Sequence, residues 1–299
     1  MGPMFKAVLL PRKGFNAQVG LPKINASWQG VTADPQALKQ YHQVLNLEQN
    51  QNLPLLYPHV LAGSMHMHML THKHFPIGLL GAVHLKNSIK QVRPIQSNEE
   101  MSIQCELGQW RITDKGLEFD FSTQVVIQSH LVWSETSTYF KRGRFTESPS
   151  SESSKSKSAE GSQISPTPVE LDTIKDVKPL THWLIPKNRG KAYAKISGDY
   201  NPIHISKILA KLFGLKRDIA HGFGILAQAI ACEGIKHMSE SQNPIILDTV
   251  FKGPLFLEDE AHVKTPSTNV TQSKREQAFD IYCAENPKPS ICTLIRLLD

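Results

Sequence analysis

One order of predicted elements occurs twice in this chain, and this repeat limits the folds that the chain can adopt. Residues 31–69 and residues 196–234 each contain a proline that opens an amphipathic helix, a short loop, and a histidine that leads into a more apolar helix. Further along, LKNSIKQVRPIQSNEEMSI in the first half parallels DTVFKGPLFLEDEAHV in the second. The shared order predicts an internal duplication, although few residues are identical.

The segments that follow each pair of helices are predicted to be β-strands. GLEFDFSTQVVIQ and LVWSETSTYFKR alternate apolar and polar residues and are rich in β-branched and aromatic side chains. QAFDIYCAENPKPSICTLIRLL is typical of a hairpin whose turn is NPKP. We therefore expect each half to be an α+β unit, in which an antiparallel sheet wraps a central helix.

A serine-rich segment separates the two halves. TESPSSESSKSKSAEGSQISPTP, which begins at Thr146, has almost no apolar residue, so it cannot bury enough surface to offset the entropy lost on ordering. We therefore divide the chain into an N-terminal domain at 1–145, a flexible linker at 146–170 and a C-terminal domain at 171–299.

The composition is typical of a soluble globular protein and argues against several functions. The 299 residues are 40% hydrophobic and 20% charged, and no stretch approaches the length of a membrane-spanning helix. The net charge of +6 comes from scattered basic residues, so nucleic acid is not an expected partner. Four cysteines without a CxxC pair indicate free thiols in a reducing compartment. Because the apolar run AVLL is too short for a signal peptide, we expect a cytoplasmic protein with no membrane partner.

The stretch SGDYNPIH, from Ser197 to His204, places an acid and a histidine at the start of a predicted helix. Asn201 and Pro202 force a turn, because proline fixes its own φ and biases the preceding residue away from the α region. Such a turn can bring Asp199 and His204 to one point, and an Asp–His pair transfers protons well near neutral pH. For the stretch in isolation, a turn-capping Asp199 and a partly buried His204 are the commoner case.

The residues after this turn predict one amphipathic helix that closes at Gly214. Its apolar face consists of Ile205, Ile208, Leu209, Leu212 and Phe213.

The stretch AHGFGILAQAIA places Gly222 where a second helix begins. Free backbone N–H groups at a helix N-terminus stabilise a developing oxyanion, and a glycine lets a thioester carbonyl approach without interference from a Cβ atom. A glycine placed there only for loop geometry is the commoner case when it occurs alone. An Asp–His pair and a donor glycine together match what water addition beside an activated carbonyl requires.

The segment from Tyr193 to Gly224 resembles the hydratase signature of the MaoC-like acyl dehydratases and (R)-specific enoyl-CoA hydratases. The signature covers roughly the central third of the second half, and the remainder matches only in pattern. The matching positions are Tyr193, Ser197, Gly198, Asp199, Asn201, Pro202, His204, Ala210, Phe213, Ala220, His221 and Gly222. The resemblance implies the hotdog fold, and two such units imply a double hotdog that packs as an internal dimer.

The resemblance also implies roles for individual residues. Asp199 and His204 would activate the water that adds to C3 of a trans-2-enoyl thioester and return a proton to C2, or run the reverse dehydration. The Gly222 N–H would bind the thioester oxygen. Substrate-binding roles are expected for Ser197, Asn201, His221 and Phe223, with Asn201 mainly orienting the loop.

Two features depart from the family pattern. HGFG stands where an HGM-type sequence is more familiar, so Phe223 and Gly224 are expected to alter the tunnel wall and the acyl-chain preference. In the first half, Thr32 aligns with Asp199 and Ala37 with His204, and neither can transfer protons usefully. We therefore expect a degenerate N-terminal hotdog that shapes the acyl tunnel and one catalytic hotdog at the C-terminus. His59 aligns with His221 and is expected to be structural.

The histidine-rich run HMHMLTHKH has a spacing that could bind a metal ion, but its sequence context favours a structural role. His68 and His72 have the i, i+4 spacing of helical metal ligands, but no carboxylate lies nearby in the sequence and HExxH is absent. We predict a Met- and His-lined helix in the hotdog core, no metal and no cofactor.

Three other functions remain open from the sequence. A related hydro-lyase would dehydrate 3-hydroxyacyl groups on an acyl carrier protein, and the basic surface permits either carrier. A hotdog thioesterase fits the SGDYNPIH unit poorly. A non-catalytic acyl-thioester-binding hotdog would have no need for Asp199, His204 and Gly222 together. The expected partners are therefore an acyl-CoA or acyl-carrier substrate, with the internal hotdog pseudo-dimer free to form a homodimer.

Overall fold

The structure is a computed structural model that describes residues 12, 14–78, 81–145, 165–267 and 274–299. Its main feature is one ten-stranded antiparallel sheet with the strand order β1-β3-β4-β5-β2-β7-β10-β9-β8-β6. The first five strands in this order come from the N-terminal half, and the last five come from the C-terminal half in the mirrored order. This mirrored order supports the predicted internal duplication.

The described residues of the N-terminal half form two helices and five strands. Asp34 caps the first helix by accepting a hydrogen bond from the Ala37 N–H, and Pro35 occupies its first turn. The elements are β1 (Asn25–Val31), α1 (Pro35–Leu45), α2 (Tyr57–Thr71), β2 (Ala82–Gln91), β3 (Met101–Ile112), β4 (Gly116–Ile127) and β5 (His130–Arg142).

The C-terminal half repeats this plan with a more broken helical segment. NPKP provides the turn of its last hairpin, as predicted, between β9 and β10. The elements are β6 (Val177–Leu184), α3 (Arg189–Ser197), α4 (Pro202–Ile205), α5 (Lys207–Leu212), α6 (Gly222–Ile230), α7 (Lys236–Ser239), β7 (Ile245–Phe251), β8 (Glu260–Pro266), β9 (Glu276–Cys283) and β10 (Ile291–Leu297).

The helix predicted after His204 ends just before Gly214, which has φ 81° as expected of a closing glycine, but its predicted start and apolar face are wrong. The backbone at Ser206 is extended, with φ −145° and ψ 118°, and the Ser206 hydroxyl caps a new helix by accepting a hydrogen bond from the Leu209 N–H. Ile208 and Leu212, assigned to the apolar face, are 74% and 78% exposed. The Ser206 side chain competes with continuation of α4. It accepts a hydrogen bond from the Leu209 N–H, which in a continuous helix would bond to a backbone carbonyl instead.

The central helix of each half packs against the inner face of the sheet. In α2 the buried side chains include Met65, His66 and Met69, which confirms that the Met- and His-containing helix enters the core. In α6 most residues are buried, so the helix is apolar on nearly every side. The predicted α+β class, with a sheet wrapped around a central helix in each half, is therefore observed.

The two halves join through β2 and β7. These strands pair antiparallel, from Lys86 opposite Val250 to Gln91 opposite Ile245. At this junction the buried Asp248 accepts hydrogen bonds from Ser88 of the N-terminal half and from Arg296. The junction thus combines the backbone hydrogen bonds between β2 and β7 with the Asp248 carboxylate, which accepts hydrogen bonds from both halves.

Other sequence predictions can be placed on this frame. Residues 146–164 of the predicted linker lie outside the described residues. The four cysteines are free thiols, and Cys105, Cys283 and Cys292 are buried. Within the described ranges, no helix combines the length and the apolar character needed to cross a bilayer.

Candidate active site

The loop between α3 and α4 holds Asp199 at the mouth of a cavity. Gly198 ends α3 in the left-handed region, with φ 73°, which glycine adopts without strain. The Ser197 hydroxyl donates to the Tyr193 carbonyl (3.0 Å) and accepts from the Asp199 N–H (3.2 Å). Asp199 Oδ1 in turn accepts from the Asn201 N–H at 3.0 Å. The loop therefore fixes the Asp199 backbone and one of its carboxylate oxygens.

Asn201 and Pro202 start α4 as the sequence predicts. The Asn201 side chain caps the helix by accepting from the Ile203 N–H, and Pro202 occupies the first helical position. Asn201 thus orients the loop, and both residues also line the cavity.

His204 lies in this short helix with its tautomer defined by a backbone contact. Its Nδ1–H donates to the Ile219 carbonyl at 2.9 Å, which leaves Nε2 as the basic nitrogen. Nε2 lies 3.9 Å from Asp199 Oδ2, beyond direct hydrogen-bond distance. The two groups predicted as a pair therefore converge without bonding to each other, so each can contact the same substrate atom.

Gly190, which sequence reasoning missed, makes this placement of His204 possible. A Cβ atom on Gly190 would lie 1.9 Å from the His204 carbonyl oxygen. The first turn of α3 and the backbone of α4 therefore approach each other more closely than any side chain allows. A glycine 14 residues before the histidine carries no local pattern that could reveal this contact.

His221 completes the polar cluster. Its Nε2–H donates to the Asp199 backbone carbonyl at 3.0 Å, and its ring stacks on His204 with ring centroids 3.7 Å apart. Nε2 also lies 3.7 Å from Asp199 Oδ2. His221 thus contacts both Asp199 and His204 and helps to hold them in place.

The electrostatic environment keeps Asp199 ionised and both histidines neutral near pH 7. Desolvation raises the pKa of Asp199, but His221, His204 and the Asn201 N–H together outweigh it, so the pKa lies below its ordinary value. Burial lowers the pKa of His204, and Asp199 offsets this only in part. Burial, with a contribution from His204, lowers the pKa of His221 to about 3.

Gly222 is the first residue of α6, so its N–H has no acceptor within the helix. It lines the same cavity as Asp199 and His204. A Cβ atom at this position would lie 2.7 Å from the Phe251 ring, so only glycine fits between the cavity and that ring. The helix N-terminus predicted to be a donor site is therefore at the cavity wall.

The cavity has a volume of about 510 Å³ and is formed by both halves of the chain. The C-terminal half contributes the polar cluster, Gly222 and Phe223. The N-terminal half contributes a stripe along α2 and the start of β2. This stripe includes His59, Val60, Gly63, His66, Met67, Leu70, Val83 and His84.

Phe223 connects the two halves at this cavity. Its ring stacks on His59 of α2, with centroids 3.8 Å apart and an interplanar angle of 11°. It also lies near His84 and Phe251, at 5.2 and 5.7 Å between centroids. The residue that departs from the family pattern is thus part of the cavity wall.

Sequence reasoning found no carboxylate near the histidine-rich run, but the fold brings Glu135 close to His59 and His66. The His59 Nδ1–H donates to Glu135 of β5, at 2.9 and 3.0 Å from the two carboxylate oxygens. His66 Nε2 lies 2.7 Å from the Thr123 hydroxyl and 3.9 Å from Glu135. Glu135 is 76 residues from His59, so no spacing rule could have indicated the pair.

The first half otherwise lacks the groups of the second. Thr32, aligned with Asp199, is exposed just after β1, and Ala37, aligned with His204, lies in α1. Asp34 and Pro35 start α1 in the same way as Asn201 and Pro202 start α4. The alignment is thus consistent with the structure, and at the aligned positions, all of them described, the Asp–His pair has no counterpart.

Two clusters among the described residues have donor atoms close enough for a metal ion: Asp199 with His204 and His221, and His59 with His66 and Glu135. In the first cluster, His204 Nδ1 and His221 Nε2 already donate to backbone carbonyls. In the second, His59 Nδ1 donates to Glu135 itself. These hydrogen bonds occupy one ring nitrogen in each of the three histidines.

Comparison with known proteins gives one family model and one related sequence. Residues 170–283 match the family model described as MaoC like domain. The chain is 28% identical over 211 residues to 3-hydroxyacyl-thioester dehydratase X of Mycobacterium tuberculosis, and the match covers 71% of this chain and 70% of that protein.

Solved structures show the same fold over nearly the whole chain. The crystal structure of HtdX from M. tuberculosis superposes with a TM-score of 0.72 at 22% identity, covering 92% of this chain and 100% of that one. A MaoC-like dehydratase from Phytophthora capsici gives 0.70 at 16% identity, covering 95% and 98%. A double-hotdog protein of M. tuberculosis gives 0.57 at 9% identity, covering 95% and 98%. The fold of this chain is a double hotdog.

Proposed function

We propose that the protein is a hydro-lyase acting on acyl thioesters, and the match of residues 170–283 to the MaoC like domain model supports this proposal. Its reaction is the reversible hydration of trans-2-enoyl-CoA, which in reverse is the dehydration of (R)-3-hydroxyacyl-CoA. The observation that carries the proposal is the convergence of Asp199, His204 and the first N–H of α6 on one cavity.

Hydration begins with a water molecule held between Asp199 and His204. The ionised Asp199 carboxylate accepts a hydrogen bond from the water and orients it toward C3. Neutral His204 accepts the second proton at Nε2 as the water oxygen bonds to C3. The π electrons of the C2–C3 bond move toward the thioester oxygen, which gains negative charge.

The Gly222 N–H stabilises this enolate oxygen at the helix N-terminus. The proton on His204 Nε2 is then transferred to C2, the enolate collapses and the (R)-3-hydroxyacyl thioester forms. All atoms of the water are then in the product, and His204 is neutral again. Dehydration follows the same steps in reverse, with His204 taking the C2 proton.

The acyl chain occupies the part of the cavity lined by α2 of the N-terminal half. Val60, Met67 and Leu70 supply its apolar wall. This placement gives the N-terminal half a function as a tunnel wall, without a second acid–base pair.

The test is hydration of trans-2-enoyl-CoA, followed as loss of absorbance by the conjugated enoyl thioester, with crotonyl-CoA and a longer ester. We expect wild-type protein to hydrate at least one of them and Asp199→Asn to lose about 10²- to 10⁴-fold in kcat. Lys195→Ala, on the exposed side of α3, is the control and should retain wild-type activity.

The alternative hypotheses give different results in the same assay. Activity only on the acyl-carrier-protein thioester would indicate a carrier-linked dehydratase that uses the same residues. Thioester binding that is unchanged by Asp199→Asn, without turnover of either carrier form, would contradict the enzyme proposal and indicate a binding protein.

A further inference from the structure

A buried carboxylate lies behind the cavity wall, hydrogen-bonded to a histidine that lines the cavity, in an arrangement that a plain alkyl chain would not require. Glu135 is fully buried on β5, and it accepts hydrogen bonds from His59 Nδ1 and from the Asn87 side-chain amide at 3.0 Å. Burial raises the pKa of Glu135, but His59, His66 and Asn87 outweigh that effect and bring the pKa to about 2. A carboxylate is costly to bury, and an apolar residue of similar size would serve a hydrocarbon chain better.

His59 has one ring nitrogen left for a ligand. Nδ1–H is directed to Glu135, and His59 makes no other hydrogen bond within the described part of the chain. Its side chain is 14% exposed and lines the cavity. In the neutral imidazole, Nε2 is therefore a hydrogen-bond acceptor available to a molecule in the cavity.

The ring of His59 is also held in one orientation. Phe223 stacks on it at 3.8 Å, and His84 lies parallel to it at 5.8 Å between centroids. Phe223 directly follows Gly222, whose N–H is expected to bind the thioester oxygen. Because His59 stacks on Phe223, it lies close to that expected position. A fixed acceptor close to the reacting end of the cavity is suited to recognising a group on the acyl chain.

We propose that His59, oriented by Glu135, binds a hydroxyl group on the acyl chain beyond C3, so that the substrates of this protein are hydroxylated acyl thioesters. The proposal rests on the proposed function, because it assigns the substrate class of the same site. A hydroxyl group donates a hydrogen bond to Nε2, whereas a methylene group at that point would leave the nitrogen desolvated and unpaired.

The experiment compares trans-2-decenoyl-CoA with three analogues that carry a hydroxyl group at C5, C7 or C9. For wild-type protein, we expect at least one analogue to exceed the parent ester about tenfold in kcat/KM, which is the effect of one net hydrogen bond. In His59→Phe this ratio should fall to about one, because phenylalanine keeps the stacking on Phe223 and removes the acceptor.

Two further variants separate recognition from folding. His59→Phe removes a hydrogen-bond donor to the buried Glu135 carboxylate, so the double variant His59→Phe/Glu135→Gln also removes the charge and is expected to show the same loss of selectivity in a folded protein. His68→Phe changes an exposed histidine on the same helix and should retain the wild-type ratio.

The outcomes distinguish this inference from the proposed function. Hydration of the parent ester with equal or lower kcat/KM for all three analogues would overturn the inference and leave the proposed function intact. No hydration of any ester would overturn both. A preference that disappears when a chelator is added would assign the His59 cluster to a metal ion, which also overturns the inference.

Discussion

At the scale of single residues, the proposed proton transfer requires imidazoles that stay neutral beside an ionised carboxylate. Burial lowers the pKa of His204, and its Nδ1–H is committed to the Ile219 carbonyl. Desolvation raises the pKa of Asp199, but His221, His204 and the Asn201 N–H outweigh it and lower that pKa. A base at His204 Nε2 is therefore present at pH values where an unperturbed histidine would be protonated.

The lowered pKa values of His204 and Asp199 predict the pH at which kcat/KM begins to fall in acid. Hydration needs neutral His204 and ionised Asp199, and both pKa values lie below their ordinary values, so kcat/KM should decrease only below the ordinary histidine pKa of about 6.5. The measurement is kcat/KM for a trans-2-enoyl-CoA between pH 4.5 and 8. A half-maximal point at pH 7 or above would contradict the burial of His204 as the controlling factor.

The residues of the motif could be predicted from the sequence, and their supports could not. SGDYNPIH and AHG identify Asp199, His204 and Gly222 because the turn and the helix start are local. The hydrogen bond from His221 to the Asp199 carbonyl joins residues 22 apart, and its existence depends on how α6 packs beside the loop.

At the scale of secondary-structure elements, the position of His204 depends on the contact between α3 and α4. Gly190, in the first turn of α3, lies directly against the His204 carbonyl. The helix break at Ser206 keeps α4 to four residues, so this contact fixes the histidine on a very short element.

Gly190→Ala should disturb both stability and catalysis. The added methyl group must displace the His204 backbone, so we expect a loss of about 1–3 kcal/mol in the free energy of unfolding. A displacement of His204 by about 1 Å should lower kcat by about 10²-fold. Urea unfolding and steady-state hydration kinetics check the two effects.

Gly78→Ala is the matched control, because a Cβ atom there meets nothing within 4 Å. It should leave kcat and the unfolding midpoint unchanged. If Gly190→Ala behaves like this control, the close contact between α3 and α4 does not position His204.

At the scale of the whole molecule, two hotdog units share one sheet and one cavity. The β2–β7 pairing aligns the halves so that α2 of the N-terminal unit faces the polar cluster of the C-terminal unit. Several histidines are buried around the shared cavity, and their protonation is expected to lower the stability of the fold in acid.

The protein should become less stable as the pH falls below 6.5. Burial lowers the pKa of His66 to about 4, and of His84 and His221 to about 3. Between these values and 6.5 the unfolded chain binds protons that the native state does not, so acid favours unfolding. Each such histidine contributes about 2 kcal/mol of lost stability between pH 7.5 and 5. Glu135, with its pKa of about 2, adds a further loss below its ordinary value of 4.5.

Urea denaturation at pH 7.5 and 5.0 measures this effect. The free energy of unfolding should fall by several kcal/mol in the wild type. His84→Phe removes one titrating group from an aromatic stack and should reduce the fall. Equal stability of the wild type at both pH values would show that these histidines are hydrated in the native state.

The sequence by itself determined the duplication, the α+β class and the candidate residues Asp199, His204 and Gly222. These depend on side-chain periodicity and on proline and glycine at turns, which act over a few neighbouring residues. Only the tertiary structure decided that α2 of the first half lines the cavity, that Glu135 holds His59, and that Gly190 supports His204. Those contacts join residues 14 to 76 positions apart. They follow from strand register and helix packing, which depend on the free energy of the whole chain and leave no pattern in any short segment.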